Sequence, residues 1–152
     1  MTVQAGVGGE VRSQSAELPL NRLPAGGRLP LAAYFPPPWE VGGSVSVSVR
    51  SALPVGDGGG RYTEARLTNE TVTISPDGLS AQVEGGLEVG EGGANALWVA
   101  LVALDANGRV VGVRRWENKT ALTGGGKTAF QGVVYSLGQR INRVIWEVEA
   151  RP

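Results

Sequence analysis

Glu147 and Glu149 stand two residues apart near the end of the chain, alternating with Trp146 and Val148, and Glu84 and Glu88 form a looser acidic pair upstream. Two carboxylates flanking a glycosidic bond can cleave it, one as acid and the other as base or nucleophile. The alternation with apolar residues gives these glutamates a plainer role, as the wet face of half-buried strands. Gly124-Gly125-Gly126-Lys127-Thr128 ends like a phosphate-binding loop. That motif needs a glycine where Ala121 stands, and a helix afterwards to aim amides at phosphate, whereas Thr128 to Val134 reads as a strand. A glycine turn between strands is expected instead.

Asp105 and Asn107 offer oxygen ligands, but calcium takes six or more, and Trp116 stands where an EF-hand loop starting at Asp105 needs its glutamate. A plain hairpin is the simpler reading. Four tryptophans raise sugar stacking. Trp98 and Trp146 follow the inward parity of their strands and are expected in the core. Trp116, with Arg114 and Arg115 beside it, is the candidate ligand platform, and Trp39 is unconstrained. Asn69-Glu70-Thr71 and Asn118-Lys119-Thr120 match the glycosylation sequon.

The chain has no histidine and no cysteine. The usual neutral-pH base, the commonest metal ligand and the thiol nucleophile are therefore all missing. Carboxylate or Ser-Lys chemistry remains, and no spacing points to either. The expectation is a non-enzyme without catalytic residues, cofactor or metal.

The elements that carry these residues are short and alternating. Val45-Ser46-Val47-Ser48-Val49 and Val144-Ile145-Trp146-Glu147-Val148-Glu149 repeat with period two. Val72-Thr73-Ile74 and Ala81-Gln82-Val83 read as strands, and Leu97 to Leu104 as a strand buried on both faces. Asp105-Ala106-Asn107-Gly108 and Pro76-Asp77-Gly78 are turns. The 152 residues include 24 glycines and 9 prolines, which suits many short strands joined by turns. The fold class is all-β.

Fourteen basic residues balance fourteen acidic ones, so no net field draws the chain to nucleic acid. No apolar run is long enough to span a membrane as a helix, and the first residues lack the pattern of a signal peptide.

Shifted by 99 positions, the first fifty residues overlie the last fifty without a gap. Gly9 meets Gly108, Val11 meets Val110, Leu23 meets Leu122 and Leu31 meets Phe130. Val45, Val47 and Val49 meet Val144, Trp146 and Val148. Such self-similarity predicts a duplication. Residues 61–152 then hold about seven strands, a complete sandwich, while residues 1–53 hold its last three or four, and 54–60 form a glycine-rich linker.

Leu101-Val102-Ala103-Leu104-Asp105-Ala106-Asn107-Gly108-Arg109-Val110-Val111-Gly112 resembles the FxLYD family of prokaryotic immunoglobulin-like domains. Leu122-Thr123-Gly124-Gly125-Gly126 with Phe130, and Val83-Glu84-Gly85-Gly86-Leu87, are similar to further segments of that family, although Leu101 and Leu104 occupy the aromatic positions of its naming motif. The resemblance implies an immunoglobulin-like antiparallel β-sandwich, one complete and one partial. It also implies an extracellular or cell-surface setting, often on envelope-associated proteins, and no active site.

A partial sandwich exposes apolar surface and unpaired edges. The expected partner is a second copy of the chain or another envelope protein, paired through β-edges. The candidate interface comprises Val11, Leu29, Leu31, Tyr34, Phe35, Val45, Val47 and Val49, with Tyr34 and Phe35 leading into the proline run before Trp39. The alternatives are a carbohydrate- or calcium-binding module, and a fragment of a longer tandem array.

Overall fold

A computed structural model describes residues 1–7, 10–23, 26–35, 44–49, 51–54 and 60–152. Trp39, the proline run 36–38 and most of the glycine-rich stretch 54–60 lie outside the described residues. Among the described residues every regular element is a strand, and all pairing between strands is antiparallel. The chain divides into two compact units: residues 1–18 with 31–57, and residues 19–30 with 58–152. That division departs from the expected one, because residues 19–30 group with the larger unit rather than with the segments on either side of them.

The smaller unit holds β1 (Thr2–Val7), β2 (Glu10–Ser15) and β3 (Ser44–Ser48), in the order β2-β1-β3. Val3 and Ala5 of the central strand are buried. Val47 and Val45 of β3 lie directly opposite them, so all four side chains share one face.

The larger unit is built from β4 (Ala65–Ile74), β5 (Ser80–Val89), β6 (Ala96–Leu104), β7 (Val110–Asn118), β8 (Lys127–Tyr135) and β9 (Arg143–Arg151). These are six strands, where the sequence suggested about seven. They form two sheets, β4-β5-β8 and β7-β6-β9. The sheets face each other across one apolar core. Val83 and Leu87 from β5, Val99 and Leu101 from β6, Phe130 and Val134 from β8, and Val144 from β9 meet there. Alternation dictates this: each strand sends every second residue inward. β6 is the exception its unbroken apolar run requires, since Val102 and Leu104 on its other face are buried too.

The turns follow their chemistry. Asp105 accepts the amides of Asn107 and Arg109 at 2.8 and 2.9 Å through its carboxylate, and Gly108 supplies a φ of 75° to close the β6–β7 hairpin. Ser75, Asp77 and Gly78 close the β4–β5 turn in a similar way. The Asp77 carboxylate accepts from the Ser75 hydroxyl and the Leu79 amide, at 2.5 and 2.9 Å.

Moved by 99 positions, β1, β2 and β3 fall on β6, β7 and β9, and the strand order of the two sheets is the same. Thr2 pairs with Ser15 as Leu101 pairs with Arg114, an identical register. The other side differs by one residue. Thr2 pairs with Ser48, whereas Leu101 pairs with Trp146 rather than Glu147. A one-residue slip reverses which side chains share a face. Val45 and Val47 accordingly sit with Ala5 and Val3, while Val144 and Trp146 sit with Ala103 and Leu101, whose shifted counterparts are Gln4 and Thr2. The apolar parity aligned in the sequence is therefore inverted at this third strand.

Candidate functional site

β3 is the last strand of its sheet, and no other described strand pairs with its outer side. Its sequence, Ser-Val-Ser-Val-Ser, has no charge, no proline and no bulge. Val45 is 68% exposed and Val47 52% exposed. An edge of this kind presents free backbone donors and acceptors to any incoming strand.

The edges of the larger unit are guarded. β4 is broken by a bulge between Thr68 and Thr71, where Asn69 takes a φ of 52°. β7 carries Arg114, Arg115 and Glu117, and β9 carries Arg143, Glu147, Glu149 and Arg151. On β8, Lys127 lies 3.6 Å from Glu88, which Arg66 also contacts at 3.2 Å. The Arg66 hydrogen bond and the Lys127 charge together hold the Glu88 carboxyl below the usual carboxylate range. Among the described edge strands, β3 is the one that carries no charged residue.

The other expected interface residues do not all gather at this edge. Val11 is exposed but pairs with Gly6, on the face opposite Val45 and Val47. Val49 is exposed just beyond the end of β3, and Tyr34 is exposed within residues 31–35. Leu31 and Phe35 are half-buried. Leu29 belongs to the larger unit, where it lines an apolar pocket with Pro30, Val102, Leu104, Val110 and Ile145.

Trp116 is not a surface platform. It lies opposite Val99, faces the core, and meets Phe130 edge to face with centroids 5.1 Å apart. Arg114 shares its face of β7 and Arg115 takes the other, so the three side chains do not converge. The Asp105 carboxylate is occupied by hairpin amides, and no described cluster of three acidic residues could hold a cation. Lys127 opens strand β8 rather than a helix, and the Gly125 and Gly126 amides are taken by the Gly90 and Thr123 carbonyls.

Two residues depart from their expected faces for one reason. Trp98 and Glu149 pair with each other on the outer face of the β7-β6-β9 sheet. Trp98 is thus outside the core, and Glu149 is only 4% exposed rather than wet. Residues 19–30 cover that face. The Glu149 carboxylate accepts the backbone amides of Asn21 and Arg22 at 2.7 and 2.8 Å, the Asn21 side-chain amide at 3.2 Å, and Arg151 Nε at 3.2 Å. The Arg151 guanidinium lies over the Trp98 ring at 5.0 Å and the Tyr62 ring at 5.4 Å. Leu20 is buried at the start of this strap, and Leu29 and Pro30 rest on the sheet at its end. Period-two patterning shows which residues share a face but not what lies over it. The signal that was available is the apolarity of both faces of β6, which demands a cover on each side.

Beside the strap, Arg22, Glu64, Arg66 and Glu88 line a polar cleft of about 510 Å³ between β4 and β9. Its charges are mixed, and Arg66 and Glu88 neutralise each other. Compared with family models, curated proteins and solved structures, the chain matches none of them.

Proposed function

We propose that this chain is a non-enzymatic assembly module of a prokaryotic cell-envelope or secreted protein, related to the immunoglobulin-like FxLYD domains, and that it associates with a second copy through the β3 edge. The observation that carries the reading is the contrast between β3, neutral and straight with two exposed valines, and the charged or bulged edges of the larger unit. The strand order common to β2-β1-β3 and β7-β6-β9 supports a duplicated half-module. Among the described residues the half-module has one sheet where the larger unit has two. Val3 and Ala5 are buried, and the same apolar face runs on to Val47 and Val45, which an added neighbour would cover.

Sedimentation at increasing concentration tests this. The wild-type chain should associate. Val47→Lys, which places a charge on an already exposed edge position, should remain monomeric with an unchanged melting curve. A wild-type chain that stays monomeric throughout, or a Val47→Lys variant that associates as before, overturns the proposal.

A further inference from the structure

The sheets β2-β1-β3 and β7-β6-β9 each end on a strand whose outward backbone groups belong to its apolar residues. In the smaller unit Met1 N donates to Ala16 O and Ala16 N to Met1 O, each at 3.0 Å. Alternation from that reciprocal pair turns the amides and carbonyls of Val3 and Ala5 toward β2, and those of Thr2, Gln4 and Gly6 toward β3. Ser48, Ser46 and Ser44 lie opposite them and answer them. The amides and carbonyls of Val45 and Val47 therefore point away from the sheet.

In the larger unit Thr63 N donates to Ala150 O at 3.1 Å, an antiparallel bridge on the outer side of β9. The backbone of Ala150 thus faces away from β6, and by alternation so do those of Val148, Trp146 and Val144, which no described strand takes. Thr63 pairs with Ala150 but Ala65 pairs with Val89, so the chain crosses from one sheet to the other here. The cleft of about 510 Å³ opens at that fork, with Ala65, Val89 and Val148 in its lining. The charged residues of β9, Arg143, Glu147, Glu149 and Arg151, alternate with Val144, Trp146 and Val148 and so guard the opposite face of the strand.

Building on the association through β3 proposed above, we infer that β3 of one copy adds antiparallel to the outer side of β9 of another, with Val45 opposite Val148, Val47 opposite Trp146 and Val49 opposite Val144. Backbone and side-chain parity agree in this pairing. Residues with outward amides and carbonyls on both strands meet as hydrogen-bonded pairs, and their side chains share one face. That face looks into the sandwich, where Val144, Trp146 and Val148 already pack on the core, so the incoming valines lie over the cleft between two sheets. On the other face Ser46 meets Glu147 and Ser48 meets Ile145, and a neutral serine does not repel the carboxylate. Two β3 strands paired with each other would bring no second described sheet over their valines.

The chain contains no cysteine, so introduced cysteines report the contact cleanly. Ser46 and Glu147 are exposed, and as a non-hydrogen-bonded pair their Cα atoms would stand about 4.5 Å apart, within reach of a disulfide. Differently tagged Ser46→Cys and Glu147→Cys chains, mixed and mildly oxidised, should give a mixed disulfide dimer. Its yield should exceed by about tenfold that from Ser46→Cys with Arg115→Cys, on the opposite edge strand of the β9 sheet. Val47→Lys in the Ser46→Cys chains should lower the yield to the control level. Val47→Lys in the Glu147→Cys chains, which contribute β9, should keep it well above the control. In protein that still associates, a mixed yield at the control level, or its loss on placing Val47→Lys in the Glu147→Cys chains, overturns the inference and leaves the β3 association standing. Wild-type protein that stays monomeric overturns both.

Discussion

Glu149 shows how one side chain can hold a segment that has no regular structure. Its carboxylate takes four hydrogen bonds, two of them from consecutive backbone amides of the strap, in a place where water does not reach. Removing it leaves four part-buried donors without their shared acceptor, which costs more than the bonds contribute net. Glu149→Ala should therefore destabilise the larger unit by about 2–4 kcal/mol, with Glu149→Gln milder, as read from denaturant unfolding. Tryptophan emission should also shift, because the Arg151 guanidinium stacked on Trp98 loses its partner. Equal stability in Glu149→Ala and wild type would mean that the strap is not held by this residue. Trp98, Trp116 and Glu149 were the residues that the sequence placed least well. Alternation separates two faces of a strand, but one-dimensional pattern does not say which face meets a sheet and which meets a strap.

At the scale of elements, the β4–β5 turn ties stability to pH. The Ser75 hydroxyl, the Leu79 amide and the nearby Arg140 charge favour the ionised Asp77 carboxyl and lower its pKa from 3.8. A carboxyl whose pKa is depressed in the folded state stabilises the fold above its unfolded value, and that contribution is lost as pH falls through the folded value. Glu88, lowered from 4.5 by Arg66 and Lys127, acts in the same direction. The denaturation midpoint of the wild type should thus fall as pH drops from about 5 to about 2, and Asp77→Asn should show a shallower fall over that window. Parallel profiles for the two proteins would remove Asp77 from this account. The strands themselves were largely legible, since β3, β5, β6 and β9 contain the alternating or unbroken apolar runs that mark them. The Asp105–Gly108 and Pro76–Gly78 turns stand where their residues put them. The register of β3 was not legible. Val45 and Val47 match Val144 and Trp146 by position, yet a slip of one residue against β1 carries them to the other parity, and a two-residue period has no landmark that fixes such a slip.

At the scale of the whole molecule, the chain is not laid out in the order of its sequence. It builds β1 and β2, spends residues 19–30 on the larger unit, returns to make β3, and only then enters β4. A protease that severs the backbone after the exposed Arg28 would on this account set nothing free. The front piece keeps Asn21 and Arg22 gripped by Glu149 of the rear piece, while β3 of the rear piece stays hydrogen-bonded to β1 of the front. Trypsin-nicked protein should run as one body on a native gel and fall into two only in denaturant. The covalent bond at that point is dispensable once folding is done: connectivity there serves to deliver the pieces, and non-covalent grip keeps them.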